Sequence, residues 1–262
     1  REIFGLLLGG GNGPEKVLFA AAFHGQEWLT ALTVLRLCEN ICEAMQKDGK
    51  LDDLDLRQAL AGRSLILVPM VNPDGVDIAL RGAEAAGPFA EQAAALGADR
   101  PGLWQANARG VDINHNFNAG WALLQELERK KGIDGPAPRQ WGGPCPESEP
   151  ETRALTGLCA RFRFRHVVAL HSQGEEIYYQ YGPRTPKQSA LVAQMLASVG
   201  GYRVAQPGGT ASHAGFKDWF IQETGRPGYT LEVGLGENPL PLDGFEGAYQ
   251  KLGPMLAVLS IA

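Results

Sequence analysis

The chain has 262 residues, 44% of them hydrophobic and 20% charged, the balance of an ordinary globular protein long enough to bury a sheet. Lys and Arg number 24 against 29 Asp and Glu, a net charge of −5 without a basic block, which argues against nucleic acid or an anionic membrane surface as partner. No apolar run approaches the ~20 residues of a membrane span, and the opening REIFGLLLGG lacks the charged, apolar, small-residue order of a signal peptide.

In chain order, strands are expected at 3–8 (IFGLLL) and 16–23 (KVLFAAAF), then a helix at 27–47 with Leu29, Leu32, Leu35 and Ile41 at helical spacing. A strand at 63–70 (RSLILVPM) leaves through Asn72-Pro73-Asp74-Gly75, read as a turn, toward helices at 86–97 and 119–130. Residues 132–147 are dense in Gly and Pro and predict a surface loop. The next helix, 148–161, offers Ser148 as N-cap, with Glu149 and Glu151 in its first turn. Strands at 165–171 and 177–181, helices at 186–200 and 213–225, a strand at 228–233 and a helix at 245–260 complete the pattern. Several strands are apolar throughout, as strands covered on both faces must be. The alternation predicts one domain over 1–262, a three-layer α/β/α sandwich with a mixed, mostly parallel central sheet.

Cys38 and Cys42 stand four apart on one helix, Cys145 and Cys159 lie far away, and no CxxC pair exists. This is neither a disulfide framework nor a cysteine zinc site. Buried free thiols are expected, which favours a reducing compartment and hence the cytoplasm. An upstream signal trimmed from this chain would instead make the protein secreted or wall-associated.

The polar residues concentrate at the predicted strand ends, where open α/β sheets place their ligands. In AAFHGQEWLTAL, His24 and Glu27 are three apart on a turn becoming a helix, so both side chains can converge on one point. Imidazole nitrogen and carboxylate oxygen are donors that Zn²⁺ accepts. The alternative is a plain helix start, with Glu27 complementing the helix dipole and His24 in solvent. ARGVDINHNFNAGW gathers Asp112, Asn114, His115 and Asn116, and VVALHSQG ends an apolar strand on His171 and Ser172. Glu232 sits among apolar neighbours in YTLEVG, where a lone acid must be paired, ligated or functional. A strand-end histidine bonded to backbone and a structural ion pair are the plainer readings of His171 and Glu232.

HxxE (His24, Glu27), NPDG (72–75), GVD-x-N-x-N-F (110–117), HS (171–172) and a late strand glutamate (Glu232), in this order over nearly the whole chain, resemble the zinc carboxypeptidases of the M14 metallopeptidase family. The resemblance implies one Zn²⁺ per chain on His24, Glu27 and His171, with Asp112 fixing the tautomer of His24 and Glu232 as general base. His166 and His213 fall outside that ligand set. His166 is expected at the surface where its strand begins, and His213 in a structural or substrate-facing place.

The chain departs from the family pattern in three places. His115 stands where the family has the arginine that grips a terminal carboxylate. Gln105 falls where another arginine polarises the scissile carbonyl, and Thr210 near the position of the closing tyrosine. WQANARGVDINHNFNAGW, HSQGEEIYY and AGFKDWFIQETGRPGYTLEVG resemble in particular the bacterial γ-D-glutamyl-diaminopimelate peptidases of the endopeptidase I group. That resemblance implies a small muropeptide substrate, cut between γ-D-Glu and meso-diaminopimelate. Lys217, His115 and Arg109 are its candidate carboxylate-binding cations, beside Asn114, Gln105 and Ser172. A solvated helical lysine and a loop salt bridge are the plain alternatives for Lys217 and Arg109. A carboxypeptidase or amidase of the same fold, and an inactive binder of cell-wall peptides, remain the competing readings.

Overall fold

The computed structural model describes residues 1–9, 15–51, 54–100 and 102–262. Strands β1 (Leu6–Leu8) and β2 (Glu15–Ala21) precede helix α1 (Trp28–Gln46). The short pair β3 (Lys50–Leu51) and β4 (Leu54–Asp55) and the single turn α2 (Leu56–Ala59) lead into β5 (Arg63–Val68). Four helices follow: α3 (Pro73–Arg81), α4 (Ala90–Ala95), α5 (Trp121–Lys130) and α6 (Pro150–Arg161). Then come β6 (Phe164–His171), β7 (Glu176–Tyr178), α7 (Gln188–Gly200), β8 (Arg203–Val204), α8 (Phe216–Thr224), β9 (Gly228–Glu232) and α9 (Phe245–Ile261). None of these helices is long and apolar enough to cross a membrane.

Among the described residues, seven strands form a sheet in the order β1-β5-β2-β6-β9-β7-β8. The pairs β5/β2, β2/β6, β6/β9 and β7/β8 are parallel, while β1/β5 and β9/β7 are antiparallel. This is the mixed, mostly parallel sheet expected from the alternating elements. The central strands send alternate residues to opposite faces. Phe19, Leu65, Leu67, Val168 and Leu170 join residues of α1, α7 and α9 in one apolar cluster. Leu18, Ile66, Val68, Val167 and Ala169 meet Leu155, Phe216 and Phe220 of α6 and α8 in another. Both faces of these strands are therefore covered, which is why their sequences read as unbroken apolar runs.

Several local expectations change. Asn72-Pro73-Asp74-Gly75 opens a helix: Asn72 is the N-cap of α3, its Oδ1 accepting the Gly75 N–H at 2.9 Å, and Pro73 occupies a position whose missing N–H costs nothing. In place of the expected helix at 86–97 stand a 3₁₀ segment, Ala83–Phe89, kinked at Gly87 where φ is 56°, and then α4. Glu149, not Ser148, is the N-cap of α6, without a side-chain cap bond; the Ser148 hydroxyl donates instead to Glu149 Oε1. His166 is buried, not at the surface. It lies inside β6, and its Nε2 donates to the Leu259 carbonyl at 2.8 Å. Burial pushes its pKa down to about 4. Cys38, Cys42 and Cys159 are free and half-buried, while Cys145 is exposed where a buried thiol was expected.

Candidate active site

β2, β5, β6 and β9 run parallel, so their carboxyl ends share one edge of the sheet, and the polar residues collect there. The chain leaves β2 through Ala22 and Phe23, and Thr30 on the first turn of α1 braces the exit. Its hydroxyl donates to the Glu27 carbonyl at 2.7 Å and accepts the Ala22 N–H at 2.9 Å. Gly25 makes a close approach possible: a Cβ there would lie 2.3 Å from the Gly75 carbonyl oxygen. Asn72, fully buried, locks this corner by donating to the carbonyls of Phe23 at 3.0 Å and Ala106 at 3.2 Å, while Gly25 N donates to Gln105 O at 2.9 Å.

On that corner His24 Nδ1 lies 2.7 Å from Glu27 Oε1, and His171 Nδ1, from the end of β6, lies 3.2 Å from Glu27 Oε2. Their donor atoms all fall within 4.8 Å of one another, the one such His/Cys/Asp/Glu group among the described residues. The remaining nitrogen of His24, Nε2, is 3.1 Å from Asp112 Oδ1. Asp112 also accepts the N–H groups of Asn114 and Gln140, at 3.1 and 3.0 Å. The far nitrogen of His171 is buried and has no hydrogen-bond partner among the described residues. Two imidazole nitrogens and a carboxylate facing inward, with one imidazole backed by a second carboxylate, form a donor set that fits Zn²⁺.

Glu232 ends β9 as the register partner of His171, and on its other side it faces Glu176 of β7. Burial, then the charge of Glu27, holds its carboxyl well above the usual range. Burial pulls His24 down, but Glu27 and Asp112 outweigh it and raise its pKa well above the ordinary value. Asp112 moves the other way, because His115, His24 and the Gln140 N–H overcome its burial.

His24, Glu27, His171 and Glu232 line one cleft with Gln105, Asn114, His115, Ser172 and Lys217. Asn114 Oδ1 accepts the Phe216 N–H at 3.0 Å, and Ser172 Oγ donates to Asn238 Oδ1 at 2.8 Å, so both are fixed by distant segments. Lys217 is buried rather than solvated. Its ammonium donates to Asp218 Oδ1 and, at 2.8 Å, to the Gln180 carbonyl, and it lies 5.8 Å from the Tyr181 ring centroid.

Arg109 makes the loop salt bridge that is its plain alternative. It does not line the cleft, and its guanidinium is spent on Glu149, at 2.6 and 3.0 Å, and on the Ser148 carbonyl. Thr210 is buried and accepts from Lys131 Nζ at 3.0 Å. His213 packs edge-on against Tyr181, with ring centroids 6.1 Å apart. Tyr178, Asp218 and Thr230 also line the cleft and were not singled out by sequence. The alternation of β7 and β9 alone does not say which of their polar residues face a ligand.

The profile of the zinc carboxypeptidase family matches residues 1–250. The chain is 36% identical over 252 residues to γ-D-glutamyl-L-diamino acid endopeptidase 1 of Lysinibacillus sphaericus, covering 95% of this chain and 62% of that protein. It is 35% identical over 258 residues to the protein YqgT of Bacillus subtilis strain 168, covering 98% and 68%. The chain thus spans less than two thirds of the endopeptidase and about two thirds of YqgT. Among solved structures, carboxypeptidase A of Helicoverpa armigera superposes with a TM-score of 0.69 at 19% identity, over 99% of this chain and 64% of that one. Murein-tripeptide amidase MpaA of Escherichia coli O157 does so with 0.57 at 23%, over 95% and 82%. These two share the fold. Taken with the converged His24, Glu27 and His171, the match over residues 1–250 shows that the chain belongs to the zinc carboxypeptidase family.

Proposed function

We propose that residues 1–262 form one catalytic domain of a zinc peptidase that hydrolyses the bond between γ-D-Glu and meso-diaminopimelate in peptidoglycan stem peptides. The observation that carries it is the meeting of His24, Glu27 and His171 beside Glu232 in a single cleft. The likeness to a relative named for γ-D-glutamyl-L-diamino acid bonds supports the substrate.

His24, Glu27 and His171 would hold one Zn²⁺, with Asp112 fixing the tautomer of His24. Bound there, zinc supplies Lewis acidity at the scissile carbonyl and lowers the pKa of the attacking water. Glu232 takes the proton of that water and returns it to the leaving amine of diaminopimelate. Gln105, Asn114 and Ser172 position the peptide, while Lys217 and His115 meet its carboxylates. Lys217 has committed two of its three ammonium hydrogens, to Asp218 and Gln180, and the third is available to a ligand. Four free thiols support a reducing compartment, the cytoplasm.

The test is to incubate zinc-loaded and chelator-stripped protein with L-Ala-γ-D-Glu-meso-diaminopimelate and follow the products by mass spectrometry. Zinc-dependent release of L-Ala-D-Glu and free diaminopimelate is expected. A protein that holds one zinc and leaves this peptide intact would overturn the substrate and turn attention to an amidase or carboxypeptidase acting on other small peptides.

A further inference from the structure

The reaction proposed above leaves several buried acids without a task, Glu128 among them. Glu128, on α5, is fully buried although most of that helix faces solvent. Burying a carboxylate is costly unless its oxygens are satisfied, and here three donors reach it. His115 Nδ1 lies 2.8 Å from Oε1, and Oε2 accepts from Gln125 Nε2 at 2.7 Å and Gly142 N at 3.1 Å. The carboxylate is therefore fixed in place, and the His115 ring is fixed by it.

His115 lines the cleft. Nδ1 is turned to Glu128 and, at 3.3 Å, to the Gln140 carbonyl, and the other nitrogen, Nε2, has no hydrogen-bond partner among the described residues. The charged groups around the ring are Glu128 and Asp112, which favour its cationic form, and His24, which opposes it. Burial also opposes it, but the two carboxylates prevail and the pKa is raised. An arginine presents a fork of donors that stays charged unaided. An imidazole presents one donor per edge, so it needs a partner that chooses the edge and supplies the countercharge.

We propose that Glu128 is a positioning residue: it holds His115 by Nδ1 so that Nε2–H is offered, as a charged donor, to a carboxylate of the peptide substrate. This rests on the substrate reading above and names the part of the site that would recognise the acid.

The experiment uses zinc-loaded protein carrying Glu232→Gln, so that peptide binds without turnover. Calorimetry compares L-Ala-γ-D-Glu-meso-diaminopimelate with versions in which each diaminopimelate carboxylate is amidated in turn. One amide should bind about tenfold or more weaker, as for a lost charge-assisted hydrogen bond. Adding His115→Gln or Glu128→Gln should each reduce that preference to under about threefold, and the two together should do no more than either alone. A preference that survives Glu128→Gln but not His115→Gln overturns the proposal, as does one that survives both. If no peptide binds, the substrate reading fails, and ¹⁵N spectra of the histidines in the otherwise unaltered protein decide on Glu128. A cationic His115 ring at about pH 7 with Nδ1–H bonded supports the proposal, and a neutral ring overturns it. That spectrum also decides the matter if Glu128→Gln does not fold.

Discussion

Asp112 grips the outer nitrogen of His24 at 3.1 Å while its second oxygen takes the Gln140 N–H at 3.0 Å. The loop around 140 thereby helps to orient an imidazole at the end of β2, through a carboxylate that touches no substrate. Asp112→Asn can still accept the backbone N–H but removes the charge facing His24. Zinc affinity should fall by about 10- to 100-fold, as read by competition with a chromophoric chelator. Unchanged affinity would show that Asp112 has no part in holding the metal.

Glu232→Gln should lower kcat by a factor of about 10² to 10⁴, the usual contribution of a positioned base, and zinc stoichiometry should stay at one. Metal analysis of the same preparation used for kinetics separates the two effects. Loss of zinc together with activity would place Glu232 among the ligands instead.

Lys217→Met should destabilise the fold by about 3–5 kcal/mol, because it removes the ion-pair partner of Asp218, whose carboxyl pKa burial already raises, in a site where both side chains are nearly inaccessible. The midpoint of urea unfolding reads this, and adding Asp218→Asn should recover much of it. In the folded fraction, activity on the diaminopimelate peptide should drop more than activity on an analogue lacking the side-chain carboxylate. Equal losses on the two peptides would remove Lys217 from substrate recognition.

His166 sets part of the acid limit of stability. Its pKa is near 4 in the fold against an ordinary value of 6.5. Between those values the unfolded chain binds a proton that the folded one refuses, so stability is complete above about pH 6.5 and declines as the pH falls toward 4. The span corresponds to about 3 kcal/mol. Urea midpoints measured from pH 7 to 4.5 should fall less steeply in His166→Gln, whose amide can still donate to the Leu259 carbonyl. Parallel slopes would contradict this.

Local pattern only raised the candidates, His24 and Glu27 by a helical interval on a strand exit and His171 and Glu232 as polar ends of apolar strands; it was their order along the chain, resembling a known family, that singled them out from plainer readings. What escaped depends on partners distant in sequence. Arg109 and His115 looked alike as cations near a motif, yet Arg109 meets Glu149, 40 residues on, and His115 meets Glu128 on a helix read as an ordinary one. His166 was placed at the surface because it begins a strand, but the last turns of α9 close over it. Asn72-Pro73-Asp74-Gly75 carries both signals at once, since Asn before Pro starts a helix as readily as it makes a turn.

His171 and Glu232 are rungs of one ladder in the middle of the sheet. A slip of one residue between β6 and β9 would carry Glu232 to the opposite face, so this pair is inherited whole or lost whole. Pro207, Ala211 and Gly215, which also line the cleft, lie outside any strand. Divergence among descendants of this fold therefore has an uneven landscape: the strand-borne pair resists gradual change, while the segment from 205 to 215 is open to new appetites one substitution at a time.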